Sequence, residues 1–165
     1  MSELRSVPCE DDVELGPLSE EVLTDLAPLA ENKGIALNCA GDALAIGSDT
    51  LLYRLVFNLV ENAIRYSHPG STVNVSICDN DSHVFLRVED QGPGIPKQYR
   101  ESIFQPFFRL DKSRSRAYGG AGLGLALVWE IAALHGGTVE VEESSENGTT
   151  MLASLPKRSA ALTEQ

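Results

Sequence analysis

The chain has 165 residues, 42% of them hydrophobic and 22% charged, which are the proportions and length of one ordinary soluble globular domain. A formal charge of -11 and a pI near 4.6 argue against nucleic acid as a partner, since a phosphate backbone needs a basic stripe. No apolar run reaches membrane-spanning length and no secretory pattern opens the chain. Cys9, Cys39 and Cys78, without a CxxC, read as reduced thiols of a cytoplasmic protein rather than zinc ligands.

Residues 1–12 read as a flexible lead-in and 13–155 as the folded domain. Val13 to Leu15 suits a short edge strand. Gly16-Pro17 then opens a helix, with Glu20 and Glu21 near the positive end of its dipole and Gly34 at its close. Leu18, Val22, Leu26 and Leu29 form its apolar stripe, and Pro28 should kink it or loosen one turn. Ile35–Cys39 and Ala43–Ile46 read as a hairpin around Gly41-Asp42.

Ser48 or Asp49 caps the next helix, Asp49 to Ser67, where Leu52, Val56, Leu59 and Ala63 share one face. Asn58, Asn62 and Arg65 fall on a second stripe with Tyr66 at its margin. Val73, Val75 and Ile77, then Val84, Leu86 and Val88, alternate as a hairpin turning at Asn80-Asp81. A glycine-rich segment, Asp90 to Pro96, precedes a short helix from Lys97 to Phe104 and a long polar connection over 105–121. A helix from Gly122 to His135 follows, then a hairpin of Thr138–Glu143 and Thr149–Leu155 around Glu146-Asn147-Gly148, and a tail over 156–165. These elements describe an α/β two-layer sandwich, with one mixed, mainly antiparallel sheet and helices on one face. No GxxxxGK[ST] is present, so the P-loop class is excluded.

Several stretches admit two readings. The Asn58, Asn62 and Arg65 stripe fits a solvated face, with Glu61 and Arg65 as an i,i+4 pair. It equally fits a site where carboxamide oxygens meet Mg²⁺ that already carries phosphates and a guanidinium meets a phosphate oxygen. Asp90-Gln91-Gly92-Pro93-Gly94-Ile95 fits a tight turn, or a carboxylate that accepts a hydrogen bond from an exocyclic amine while glycines let backbone approach a flat base. Gly119-Gly120-Ala121-Gly122-Leu123-Gly124 leaves bare N–H groups at a helix start, a place for phosphate oxygens. Phe104, Phe107 and Phe108 flank a segment carrying Arg109, Lys112, Arg114 and Arg116, which is either a solvated loop or a lid over polyphosphate.

The order NLVENAIRYS, DQGPGI, IFQPFFR, GGAGLGLALV and HGGTVEVEESSENGTTMLASLP resembles the N, G1, F, G2 and G3 boxes of bacterial sensor histidine kinase catalytic domains. That family belongs to the gyrase, Hsp90, histidine kinase and MutL ATPase superfamily with its Bergerat ATP-binding fold, and the resemblance covers about Val13 to Leu155. It implies that Asn62 ligands Mg²⁺ with Asn58 supporting, that Arg65 stands where many members use Lys near the terminal phosphates, and that Tyr66 lies against adenine. It also implies that Asp90 binds the adenine amine with Gly92, Gly94 and Ile95 shaping the base pocket, and that Arg109 approaches the γ-phosphate. Gly120, Gly122, Leu123 and Gly124 would hold phosphates, and Thr149 would close the pocket floor. Asn58, Arg65 and Arg109 would then be the catalytic residues.

The hydrolytic relatives place a Glu general base where this chain has Asn58. A carboxamide takes no proton at neutral pH, so the resemblance implies a protein-histidine kinase rather than a chemomechanical ATPase. Glu61 projects about 100° from Asn62 around the helix and reads as a surface charge. None of His68, His83 and His135 has the setting of a phosphoacceptor. The expected partners are therefore ATP, a histidine-bearing dimerisation domain of the parent kinase and a response regulator. The parent is expected to be a homodimer that can be anchored at the inner membrane, while this chain itself inserts no segment. An anti-sigma-factor-type serine kinase and a non-catalytic ATP-binding regulatory module are the alternatives.

Overall fold

The computed structural model describes residues 11–106 and 124–157. In chain order the elements are β1 (Asp11–Glu14), α1 (Leu15–Lys33), β2 (Ala36–Gly41), β3 (Leu44–Gly47), α2 (Asp49–Tyr66), β4 (Thr72–Asp79), β5 (His83–Asp90), α3 (Gly124–Leu134), β6 (Thr138–Ser145) and β7 (Gly148–Pro156). β1 and β3 pair antiparallel as a small sheet, and the main sheet runs β2-β4-β5-β7-β6. Its β2–β4 pair is parallel and the others are antiparallel. Val73, Val75, Ile77, Leu86 and Val88 alternate onto one face and pack with Leu52, Val56, Leu59 and Ala63 in a single core. The opposite face carries polar residues such as Asn74, Ser76 and Arg87. This is the two-layer sandwich expected from the alternation.

α2 is the central element. Ser48 caps it, its Oγ accepting from the Leu51 N–H at 3.2 Å, with Asp49 in the first turn. At the other end Lys33 reaches across from α1 and donates to the Ile64 and Arg65 carbonyls. His135, buried at the end of α3, uses both ring nitrogens. Nδ1 meets the Ile131 carbonyl at 2.8 Å, and Nε2 accepts from the Ser48 N–H at 3.2 Å. Those two bonds select the neutral tautomer with its proton on Nδ1. A Cβ on Gly47 would collide with the imidazole, so glycine there lets α3 dock against the start of α2. Ser48→Ala removes the hydroxyl cap but keeps the backbone bond to His135. We expect it to lower stability by about 1 kcal/mol, read from the urea midpoint.

Five expectations are corrected. β2 and β3 do not form a hairpin. The Asp42 carboxylate accepts from the Gly16 N–H at 2.7 Å and the Ala43 N–H at 2.8 Å, and Leu15 N–H donates to the Ala43 carbonyl. The Gly41-Asp42 corner thus satisfies bare donors at the start of α1 and sends β2 and β3 into different sheets. α1 starts at Leu15 and has no acidic residue in its first turn, so Glu20 and Glu21 lie past the dipole's reach. Leu29, expected on the apolar stripe of α1, faces outward, while Leu26 and Ala30 on either side of Pro28 are buried. Lys97 to Phe104 forms two 3-10 turns, Lys97–Tyr99 and Ser102–Phe104, rather than one helix. β6 and β7 run further than expected, and β6 carries a bulge between Val141 and Glu143.

Candidate active site

One end of the main sheet meets the outer stripe of α2. Asn58, Asn62, Arg65 and Tyr66 are all half-buried along that stripe. The Asn58 amide donates back to the Arg54 carbonyl at 2.7 Å, and its Oδ1 faces α3, 3.2 Å from where a Cβ on Gly124 would sit. Glycine at 124 therefore lets the first turn of α3 come close to the Asn58 oxygen. The Asn62 carboxamide makes no hydrogen bond among the described residues. Arg65 pairs with Glu61 at 3.2 Å along the helix, so the i,i+4 contact is present and occupies Glu61.

Asp90 ends β5 and is only 7% exposed. Its Oδ1 accepts from the Gly92 N–H at 2.9 Å and the Thr149 N–H at 3.1 Å. Burial pushes the carboxyl above the usual carboxylate range, and the two backbone bonds pull it part of the way back. Oδ2 makes no hydrogen bond among the described residues. One oxygen is thus fixed by the protein and the other remains an acceptor. Thr149 lies opposite Asp90 in the β5–β7 pairing and is itself buried.

The glycines of this loop answer to the protein's own backbone. A Cβ on Gly92 would strike the Tyr66 carbonyl. One on Gly94, at φ +88°, would strike the Ser145 carbonyl. Gly148, read in the sequence only as part of a turn, is as constrained, because a Cβ there would strike the Asp90 carbonyl. Ser144 was also missed: its Oγ accepts from the Ile95 N–H at 2.7 Å and lies 2.8 Å from the Thr149 hydroxyl. No local motif marks either residue, because both are defined by contact with Asp90 or its loop.

Phe104 is buried and its ring lies 5.5 Å from that of Trp129, which is half-exposed on α3. Arg109, Gly120, Gly122 and Leu123, with Phe107, Phe108, Lys112, Arg114 and Arg116, lie outside the described residues, as does most of the expected lid over 105–121. A separate cleft of about 630 Å³ between α1, α2 and α3 is lined by Tyr53, Arg54, Phe57 and Leu127 and reaches this site only at Asn58.

The donor set decides which cation fits. No group of three or more His, Cys, Asp or Glu could cage a metal among the described residues. Two neutral carboxamide oxygens suit a hard ion that brings phosphate and water ligands with it, which is how Mg²⁺ binds.

The profile of the histidine kinase-, DNA gyrase B- and HSP90-like ATPases matches residues 47–159. The sensor-like histidine kinase SenX3 of Mycobacterium tuberculosis (strain ATCC 25618 / H37Rv) is 38% identical over 152 residues, 91% of this chain and 37% of SenX3. Full-length ShkA, solved in complex with AMPPNP, superposes with a TM-score of 0.78 at 28% identity, covering 89% of this chain and 31% of that one. Histidine kinase ThkA in complex with the response regulator TrrA gives a TM-score of 0.72 at 26% identity, covering 88% of this chain and 42% of that one. The chain therefore spans under two fifths of the length of SenX3.

Proposed function

Because this chain belongs to the histidine kinase-, DNA gyrase B- and HSP90-like ATPase family, we propose that it binds ATP with Mg²⁺ and transfers the γ-phosphate to a protein histidine. The acceptor is a histidine on the helical dimerisation domain of a parent sensor kinase, and a response regulator takes the phosphoryl group onward. The observation that carries this reading is Asp90, a buried carboxylate with one oxygen held by the protein and the other open to an amine. Likeness to SenX3, and to kinases solved with AMPPNP and with a response regulator, supports it.

Asp90 accepts from the adenine amine in the pocket shaped by Gly92, Gly94 and Ile95, with Tyr66 against the ring. Asn62, supported by Asn58, supplies carboxamide oxygens to Mg²⁺, whose charge, when bound, offsets that of the phosphates. Gly120, Gly122, Leu123 and Gly124 hold phosphate oxygens, and Arg65 and Arg109 face the terminal phosphates. In the transfer, a nitrogen of the acceptor imidazole forms the bond to the γ-phosphorus as its bond to the ADP oxygen breaks. Asn58 has no basic atom, so water is not activated at that position.

The acceptor is proposed to lie on the parent's dimerisation domain rather than on His68, His83 or His135, none of which has an acidic residue directly after it. Both nitrogens of His135 are engaged, and His83 Nδ1 meets the Ser82 hydroxyl at 2.8 Å. No helix among the described residues is long and apolar enough to cross a membrane. The proposed setting is the cytoplasm, where ATP is supplied, with any membrane anchor in the parent.

The test is transfer in trans. Mixed with the histidine-bearing hairpin of its parent and γ-labelled ATP, the chain should label the hairpin with an acid-labile, base-stable phosphoramidate. The rate should rise with hairpin concentration because the tether is missing. Asn58→Glu should raise hydrolysis. An acid-stable label on serine would move the protein to the serine kinases. Fast ATP turnover by the chain alone, lost in Asn62→Ala, would place it with the hydrolytic branch.

A further inference from the structure

We propose that Ser144, aimed by a β-bulge in β6, is a positioning residue that fixes the base-reading loop against Thr149 and Asp90. The inference rests on the reading of Asp90 given above.

The bulge decides which side chain faces Asp90. From Thr138↔Ser154 to Val141↔Met151 the β6–β7 register is regular, and Val139 and Val141 point into the core. Continued without interruption, that register would set Glu143 opposite Thr149, a second carboxylate on the face Asp90 occupies. Instead Glu142 is skipped, Glu143 pairs with Thr150, and Ser144 comes opposite Thr149. A single extra residue reverses which side chains point inward beyond it. The skipped residue is secured on the outer face. The Glu142 carboxylate takes the Arg87 guanidinium through two bonds, Nε to Oε1 at 2.7 Å and Nη2 to Oε2 at 3.0 Å.

Placed there, Ser144 joins three parts of the site. Its hydroxyl accepts from the Ile95 N–H at 2.7 Å and shares a hydrogen with the Thr149 hydroxyl at 2.8 Å. Its carbonyl accepts from Arg100 at 3.0 Å, just past the loop. Thr149 in turn donates its backbone N–H to Asp90. The loop is thus tied at both ends, Gly92 N–H to Asp90 and Ile95 N–H to Ser144. A carboxylate at the position of Ser144 would bring like charge to Asp90 and offer no proton to Thr149.

The experiment compares Ser144→Ala and Ser144→Thr with the unaltered chain, by amide hydrogen exchange at Ile95 without nucleotide and by calorimetric Kd values for ATP and GTP. Ser144→Ala should exchange faster at Ile95, bind ATP about threefold to tenfold more weakly and lose part of its preference over GTP, on the scale of one neutral hydrogen bond. Ser144→Thr, which keeps the hydroxyl, should restore all three. Unchanged exchange and unchanged ATP affinity in Ser144→Ala would overturn the proposal. Faster exchange in that variant, alongside equal ATP and GTP affinities in the unaltered chain, would support the tie from Ser144 to the loop and remove only the base-reading role of Asp90.

Discussion

Asp90→Asn is expected to weaken ATP binding by roughly 1–3 kcal/mol, the scale for losing a hydrogen bond to a charged group, and to erase a preference for ATP over GTP. The six-position of guanine is a carbonyl acceptor, and facing a carboxylate it would leave two acceptors opposed. In the variant an amide stands where the open carboxylate oxygen was, so its N–H groups oppose those of adenine. The variant should also melt no lower than the unaltered chain near neutral pH without nucleotide. Burial raises the Asp90 carboxyl above its unfolded value, so the folded state keeps the proton to higher pH than the unfolded state. The stability this group contributes is full below the unfolded pKa and is lost as pH rises through the folded one. At neutral pH the ionised carboxylate is therefore destabilising, and the uncharged amide escapes that penalty. Thermal melts from about pH 4 to about pH 7 should show the variant gaining on the unaltered chain as pH rises through that range. Equal affinities of the unaltered chain for ATP and GTP in calorimetry would rule out base reading by Asp90.

Asn62→Ala is expected to abolish the Mg²⁺-dependent part of stabilisation by ATP. The side chain makes no hydrogen bond among the described residues and is half-buried rather than packed, so its removal should change apo stability by only about 0.5 kcal/mol. With ATP at about a hundred times Kd, the unaltered chain should gain about 2.7 kcal/mol, seen as a rise in melting temperature that shrinks when EDTA removes the metal. The variant should respond to ATP alike with Mg²⁺ and with EDTA. A full Mg²⁺-dependent shift in Asn62→Ala would make this residue structural, and the proposed metal site would have to be sought elsewhere.

The apolar stripe Leu52, Val56, Leu59 and Ala63 was legible because helical burial recurs every three to four residues and needs no knowledge of the partner. The alternation in β4 and β5 was legible for the same reason at a period of two, and it announced the sheet's buried face. The order of the glycine- and asparagine-bearing stretches points to the family by itself. Local period and motif order are properties of consecutive residues, and they determined the element types, the layer arrangement and the candidate stripe on α2.

Long-range contact decided the rest. Gly41-Asp42 has the composition of a hairpin turn, yet Asp42 reaches back 26 residues to the start of α1, and that bond separates β2 from β3. The glycines at 92, 94 and 148 read as turn residues or as room for a base, whereas carbonyls of Tyr66, Ser145 and Asp90 set their need. The bulge at Glu142 leaves no signature in VEVEESS, because an extra residue shows only in the register with β7 and in the bond to Arg87, 55 positions away. Which of Glu143 and Ser144 faces Asp90 depends on that register, and a register is a relation between strands that neither strand carries alone.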